Sequence, residues 1–416
     1  MRHGMKLVQR AVIPADDRTG SRFQCKEATV SSVLSVKKRI LHVSTVHRPY
    51  DTRIFFKECR SLAAAGFDVQ LATTVESVES SDGVKLLPLG ASGGSRARRL
   101  LRNLRALRYI VAQRGIVHIH DPELLLVGGL AAVLRRRVVY DVHEFYYDRI
   151  SESHWIPRAL RGLARELYST IERVVVPRLA GVVIVSPIMK AHFSKFLDES
   201  RIALVRNYPL ITEAERTHAR IAPRPMCGDY VIHTGGASKL RGFDTMVTAA
   251  ELLRQRGIAT PIVTLGEIDL SEYQPAERAT LLDRAKRAGI ELRGQVPFVE
   301  SLRWLAHSRI GYIPLANTAN NSRGTPNKLF EYLRFGLPSV ATGLGEISAI
   351  INKAEAGLLV PPEDPAAHAD AIAKLLTDNA LHGRLATNAR EAGRSFDFAT
   401  EFDRLVGLYR LILHNQ

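Results

Sequence analysis

Uninterrupted apolar runs alternate with stretches in which apolar residues recur every three or four positions, beginning at Arg39. A strand buried on both faces needs the first pattern, and a helix that buries one face needs the second. The alternation predicts strands at 39–44, 69–73, 117–120, 138–142, 182–186 and 202–206, with helices at 51–65, 98–114, 124–134 and 159–179. It breaks at 207–229, where Pro209, Pro223, Pro225 and Gly228 fall among charged residues. It resumes with strands at 230–234, 262–265, 291–293, 310–313, 339–341 and 358–360. The helices of this half are expected at 243–255, 276–288, 299–307, 328–335, 365–376, 381–392 and 400–414. Strand–helix alternation predicts an α/β fold with doubly wound parallel sheets. Two such halves, alike in pattern but not in sequence, predict a domain at 38–208, a linker at 209–228, a second domain at 229–396 and a terminal helix in 397–416. Ligands of such sheets bind outside the carboxyl ends of the strands, so the expected site is the cleft between the halves.

Composition narrows the picture. A chain of 416 residues, 46% hydrophobic and 24% charged, suits two soluble domains with ample core. No run reaches the ~18 uncharged apolar residues of a bilayer span. Cys25, Cys59 and Cys227 match no metal or redox spacing and read as reduced thiols of a cytoplasmic protein. Residues 1–37 show neither a signal-peptide core nor a periodic pattern, so a disordered tail, or an over-long start before Met5, is expected.

The net charge of +16 attracts polyanions. Arg96, Arg98, Arg99, Arg102, Arg105 and Arg108 surround Leu100, Leu101, Leu104 and Leu107 on one predicted helix. Such a helix can lie peripherally on an anionic membrane surface, here the inner face. It can equally be an Arg-rich solvated face over a leucine core stripe. Aromatic platforms interleaved with Lys and Arg are missing, so nucleic acid is not an expected partner.

Several loops fall at predicted strand ends. Residues 325–336 run from a polar loop, Thr325-Pro326-Asn327, into a short amphipathic helix carrying Lys328 and Glu331. A helix N-terminus collects unpaired N–H groups and suits phosphate, and Glu331 one turn further in can accept hydrogen bonds from a sugar diol. Gly235 and Gly236 let backbone approach a ligand, and Lys239 and Arg241 join Lys328 as three cations for a diphosphate. That loop is neither a Walker A motif nor a dinucleotide fingerprint, and an ordinary solvated loop would look the same. His120 can hydrogen-bond a sugar hydroxyl, and Glu123 can cap the next helix or receive an acceptor. An N-cap at Asp121 with Pro122 in the first helical position accounts for the same stretch. Asp141 and Glu144 are placed for acid–base work on an acceptor or for capping, and His47 and Arg53 follow the first strand toward the cleft. No Asp-x-Asp occurs, so neither metal nor cofactor is expected. Hydrolase elbows, Cys/His nucleophile arrangements and the kinase set are absent from the sequence.

In order and spacing, 47–54, 66–69, 117–125, 139–144, 235–242, 294–297 and above all Pro326–Gly336 with Pro338 resemble the GT-B glycosyltransferases of the large retaining family 4, over 39–412. The resemblance implies two Rossmann-like domains, the second binding a nucleoside-diphosphate sugar and the first a glycan or lipid-linked acceptor. Glu331 matches the second Glu of the family's Glu-x7-Glu motif, which contacts the ribose. Arg241 matches the basic residue on the diphosphate, and His120 a His near the reacting carbon. His120, Arg241 and Lys328 are thus the expected catalytic residues. Donor binding falls to Gly235, Gly236, Lys239, Arg241, Arg323, Thr325, Pro326, Asn327, Lys328 and Glu331, and acceptor binding to His47, Arg53, Glu123, Asp141 and Glu144. The implied reaction is metal-independent transfer with retention, in envelope or exopolysaccharide assembly, and the terminal helix would cross back to the first domain. Arg323 stands where many relatives carry the first Glu, and Gly236 where many carry a second Arg. A sugar-nucleotide 2-epimerase or a phosphorolytic or hydrolytic enzyme on the same architecture would share these features.

Overall fold

The computed structural model describes residues 38–91, 96–152 and 156–414. The expected tail at 1–37 lies outside them, as does the Arg96 side chain. The first sheet holds β1 (Arg39–Val43), β2 (Asp68–Thr73), β3 (Glu79–Ser81), β4 (Val84–Pro88), β5 (Ile116–Ile119), β6 (Arg137–Val142), β7 (Gly181–Ile184) and β8 (Ile202–Leu204). Its spatial order is β3-β4-β2-β1-β5-β6-β7-β8, parallel except for the β3–β4 pair. The second sheet holds β9 (Val231–Thr234), β10 (Ile262–Leu265), β11 (Ile290–Leu292), β12 (Ile310–Ile313), β13 (Ser339–Thr342) and β14 (Gly357–Val360). Its order is β11-β10-β9-β12-β13-β14, parallel throughout. Strand order reverses between β1 and β5 and between β9 and β12, the positions at which open α/β sheets form ligand crevices.

Both faces of each sheet are covered, which is why the strands read as continuous apolar runs. The helix Phe398–His414 closes one face of the first sheet. Its Phe398, Leu405, Tyr409 and Ile412 share a core with Ile40, Val69, Val139 and Val183. The Tyr409 hydroxyl lies 2.5 Å from His118 Nδ1, so the last helix of the chain is tied to a central strand of the first domain.

Several elements differ from the sequence expectation. The stretch between 73 and 98 holds the β3–β4 hairpin, whose tight turn places Asp82 and Gly83 at φ of 50° and 77°. Two left-handed residues suit a two-residue hairpin, but Glu79-Ser80-Ser81 carries no apolar alternation to announce a strand. The expected linker contains the helix Glu213–Ile221, opened by a capping box between Thr212 and Glu215. Helices Tyr146–Glu152, Pro187–Phe193, Ala319–Arg323 and Gly345–Ala354 also stand in stretches expected as loop. The helix expected to run to 179 stops at Val175, because Pro177 cannot donate the next backbone bond. The first helix begins as a π-helical segment, Thr52–Cys59, before Arg60–Ala64. Asp51 caps it by accepting from the backbone N–H groups of Arg53 (2.8 Å) and Ile54 (2.9 Å).

Leu100, Leu101 and Leu104 point to solvent, while Ala106 and Ile110 supply the buried stripe of their helix, Arg96–Ala112. The leucine stripe is therefore not the core side of this helix. Arg102 is buried and donates to the Ala91 carbonyl at 2.9 Å.

Tyr409→Ala should destabilise the protein by about 3–5 kcal/mol, the usual cost of emptying a large buried aromatic site. Tyr409→Phe, which keeps the volume, should lose only about 1–2 kcal/mol for the hydroxyl. Denaturant unfolding of both variants checks the order.

Candidate active site

A cavity of about 760 Å³ lies between the two sheets, lined by both domains. Its second-domain wall is built at the ends of β9 and β12 and at the start of the helix Asn327–Phe335. A Cβ on Gly236 (φ +75°) would stand 1.9 Å from the Glu267 carbonyl oxygen, and one on Gly242 (φ +72°) 1.6 Å from that of Pro314. Only glycine admits this approach of loop to loop, which holds Arg241 at the cavity. Gly235 (φ +133°) packs on the Lys328 side chain, where a Cβ would lie 2.8 Å from Nζ.

Lys328 Nζ sits 3.2 Å from His233 Nε2. Both His233 ring nitrogens also face carbonyl oxygens, Nδ1 that of Tyr312 (2.9 Å) and Nε2 that of Gly236 (3.0 Å), so the neutral ring donates to only one of them. Burial, then the Arg241 guanidinium, pushes Lys328 well below the ordinary lysine range. Glu331 is moved the other way: burial raises it, against the pull of Lys57 and a 3.3 Å hydrogen bond from the Thr234 hydroxyl. Thr325, Pro326 and Asn327 line the cavity at the amide-rich start of the helix.

Polar pairs span the cleft. Arg323 Nη1 meets Asp148 at 2.5 Å and lies over the Phe145 ring. Asn320 donates to Glu144 at 3.0 Å, Arg206 meets Glu346 at 3.0 Å, and Arg48 donates to Gln295. The Thr325 hydroxyl also donates to Glu346.

The first-domain wall exposes Arg53, His143 and Glu144, backed by a buried charged network. Arg53 donates twice to Asp141, at 3.0 Å from Nε and 3.0 Å from Nη2, once to the Val205 carbonyl at 3.1 Å, and meets Glu58 at 3.1 Å. Burial pulls Asp141 upward, but Arg53 and His143 outweigh it and hold the carboxyl well below its ordinary range. Glu58 is driven well above its range by burial and by Asp141. His42, His118 and His120 are fully buried, and desolvation keeps their rings neutral. His47 differs: burial opposes its charge, but Asp121 at 3.0 Å raises it overall.

Ten of the sequence candidates come together at the cavity: Arg53, Glu144, Gly235, Arg241, Arg323, Thr325, Pro326, Asn327, Lys328 and Glu331. The structure does not bring His120 or Asp141 to its lining; both are buried beneath it, 3.3 Å apart. His47 is turned to Asp121, and Glu123 to Arg99 (2.7 Å) and the Thr45 hydroxyl (2.6 Å). Gly236 and Lys239 are not part of the lining; Gly236 is buried, and Lys239 is exposed with its ammonium over the Tyr273 ring. His143, Arg206, Asn207 and Glu346 line the cavity without having been candidates. Arg206 ends an expected strand and Asn207 opens the expected break, although the pair follows an apolar strand as the other site loops do.

Two groupings place metal-ligand atoms within 4.8 Å of one another: His42, Glu58, His118 and His120, and His120, Asp141 and His143. In the first, the three ring planes lie within 38° of parallel at centroid spacings of 4.6 to 5.2 Å. An ion lies in the plane of each imidazole that binds it, so stacked rings must rotate before they share one. The Arg53 charge beside Glu58 opposes a cation there as well.

Two parallel α/β sheets meeting at a polar cleft define the GT-B fold, and solved structures of that fold superpose on most of the chain. A sucrose-phosphate synthase from Thermosynechococcus elongatus does so with a TM-score of 0.69 at 19% identity, covering 91% of this chain and 100% of that one. WaaG, a glycosyltransferase involved in lipopolysaccharide biosynthesis, gives 0.63 at 15% identity, covering 90% and 100%. Anabaena HepE in complex with UDP and glucose gives 0.65 at 13%, covering 89% and 98%.

A profile described as "Glycosyl transferase 4-like domain" matches residues 55–208, and one described as "Glycosyl transferases group 1" matches residues 228–378. The chain belongs to the family 4 glycosyltransferases. Curated relatives include D-inositol 3-phosphate glycosyltransferases from Jonesia denitrificans (26% identical, 47% of this chain and 46% of that one) and Salinispora arenicola (27%, 51% and 48%). The chain thus spans about half the length of these relatives.

Lys57 Nζ reaches the carbonyl (3.1 Å) and the side-chain oxygen (2.6 Å) of Asn207, and burial lowers its pKa from 10.5 to about 7. Between those values the unfolded chain holds a proton that the folded chain has lost, so this residue makes stability rise with pH across that window. Lys57→Met should flatten that rise and exceed the parent in stability at pH 6. Denaturant midpoints at several pH values check both.

Proposed function

We propose that the protein transfers a hexosyl group from a nucleoside-diphosphate sugar to a glycan or lipid-linked acceptor, with retention of configuration. The observation that carries this reading is the convergence of Arg241, Lys328 and the start of the helix Asn327–Phe335 on one cavity, with Glu331 one turn deeper. Diphosphate oxygens meet the two cations and the amide groups, and the ribose diol meets Glu331. In the reaction the acceptor hydroxyl oxygen attacks the anomeric carbon from the face the diphosphate leaves. The carbon–oxygen bond to phosphate breaks with its electron pair going to the phosphate oxygen, which takes the acceptor proton. Arg241 and Lys328 stabilise the charge that develops there in place of a metal ion, each contribution on the order of 3 kcal/mol. Cross-cleft pairs such as Arg323–Asp148 and Asn320–Glu144 keep the gap narrow and limit hydrolysis by water.

Curated relatives named for inositol phosphate and phosphatidyl-myo-inositol favour a phosphorylated or lipid-borne acceptor, and the proposal places the transfer in envelope or exopolysaccharide assembly. The surface supports work at a membrane. Among the described residues no helix is long and apolar enough to cross one. Leu100, Leu101 and Leu104 are exposed on the helix Arg96–Ala112. That helix packs beside Leu125–Val133, with Leu126 and Leu130 exposed, and the latter beside Arg158–Val175, with Leu160, Leu163 and Leu167 exposed. Apolar side chains on three adjoining helices, set among arginines, suit an anionic bilayer surface.

UDP, GDP and their sugars should raise the melting temperature of the parent. Glu331→Ala should weaken that ligand by roughly tenfold or more, the loss of a buried charged hydrogen bond of about 1.5–3 kcal/mol. Unchanged affinity and turnover in Glu331→Ala would remove this residue from the site. The protein should also co-sediment with anionic vesicles and not with zwitterionic ones, and Leu104→Glu with Leu163→Glu should abolish it.

A further inference from the structure

A second cavity of about 330 Å³ opens beside the first and shares Glu144, Phe145 and Arg323 with it. It lies wholly on the first domain apart from Arg323, between the helices Tyr146–Glu152, Arg158–Val175 and Pro187–Phe193. Aromatic rings make up much of its lining, with Phe145, Tyr147, Tyr168 and Phe196 among the walls. Two carboxylates also line it, each already accepting from protein donors and with lone pairs to spare. Glu172 accepts from Tyr168 at 3.2 Å and meets His192 at 2.6 Å, while Glu144 accepts from Asn320. Arg323 is neutralised by Asp148. Two cations remain, Arg173 and Lys195, exposed at the rim and without an ion pair among the described residues.

We propose that this pocket holds the head of the acceptor, a pyranose or cyclitol ring bearing a phosphoryl group. Aromatic walls match the apolar C–H faces of such a ring, and the Glu144 and Glu172 oxygens can accept from its hydroxyls. The phosphoryl oxygens meet Arg173 and Lys195. The shared wall at Glu144 and Phe145 lets a hydroxyl of the ring reach the main cleft. One helix supplies Tyr168 and Arg173 to the pocket and exposes Leu160, Leu163 and Leu167 elsewhere, so a lipid-borne ring arrives from the bilayer side. The inference rests on the glycosyl-transfer reading above and adds the acceptor's chemical class and its seat.

The test uses the full chain and its Arg173→Ala/Lys195→Ala variant, two exposed changes that leave the donor cavity intact. UDP binding is measured first. If the parent does not bind any nucleoside diphosphate, the transfer reading fails and this inference with it. With UDP bound, calorimetry is run with myo-inositol 1-phosphate and glucose 1-phosphate. Flotation is run with phosphatidylinositol vesicles against phosphatidylglycerol vesicles of equal charge. Saturable binding of a free phosphate, or a preference for phosphatidylinositol, should appear in the parent and weaken about tenfold in the variant, with UDP affinity unchanged. The free-ligand arm identifies a soluble acceptor and the vesicle arm a lipid-borne one. UDP binding without either signal, or signals the variant leaves unchanged, would overturn the pocket assignment alone.

Discussion

The buried bond between Arg53 and Asp141 is the constraint on which the architecture of the cleft depends. Arg53 comes from the π-helical segment after β1, Asp141 from the end of β6, and the third partner of the guanidinium is the Val205 carbonyl just beyond β8. One side chain thereby joins the centre of the first sheet to the strand by which the chain leaves it. Lys57, one turn further on, repeats the device on Asn207. The wider π-helical turn brings Arg53, Lys57 and Glu58 onto one buried side. Buried ion pairs seldom repay their desolvation, so the return here is positional. The crossing into the second domain is held where Glu331 and Lys328 face the first-domain wall.

Burial also explains which parts of the site were legible in the sequence. The strands that read correctly are continuous Val/Ile/Leu runs, whereas β4, buried at Val84, Leu86 and Leu87, escaped because the exposed Lys85 interrupts its run. The β3–β4 hairpin escaped because its edge strand is polar, and the helix Glu213–Ile221 because only Ala219 of its residues is fully buried. The donor-side candidates other than Gly236 and Lys239 share the cavity because a strand end, a glycine turn and a helix start are local features that spacing reveals. His120 and Asp141 also sit at strand ends, yet lie under the lining. Which side of a strand end faces a cleft is settled by the neighbouring strands, here by His143 and Arg53 standing in front of them. The leucines of Arg96–Ala112 show the same limit. A stripe has a direction only once a sheet is beneath it.

Arg323 illustrates how a departure from family pattern is absorbed. Eight residues before Glu331, it reaches away from the donor wall to Asp148 and Phe145 of the other domain. It cannot hold sugar hydroxyls as a carboxylate would. Nearby, Glu346 lines the same cavity, bound to Arg206 and the Thr325 hydroxyl. A carboxylate is thus restored to the region by a different element, the helix Gly345–Ala354, at the cost of recruiting it through cross-cleft contacts.

Those contacts bear on the electrostatics of the empty cavity. Arg241 and Lys328 crowd one wall, where burial and then the guanidinium hold the lysine well below its ordinary range. A diphosphate changes the balance, since each oxygen charge placed near Lys328 favours its ammonium form. The transition state, with more charge on the leaving oxygen than the bound donor carries, favours it further. His233 lies 3.2 Å from the same lysine, and burial, then the Lys328 charge, lowers its ring well below the ordinary histidine range. On the transfer reading proposed above, the wall is matched to charge that arrives with the donor and grows as its bond breaks.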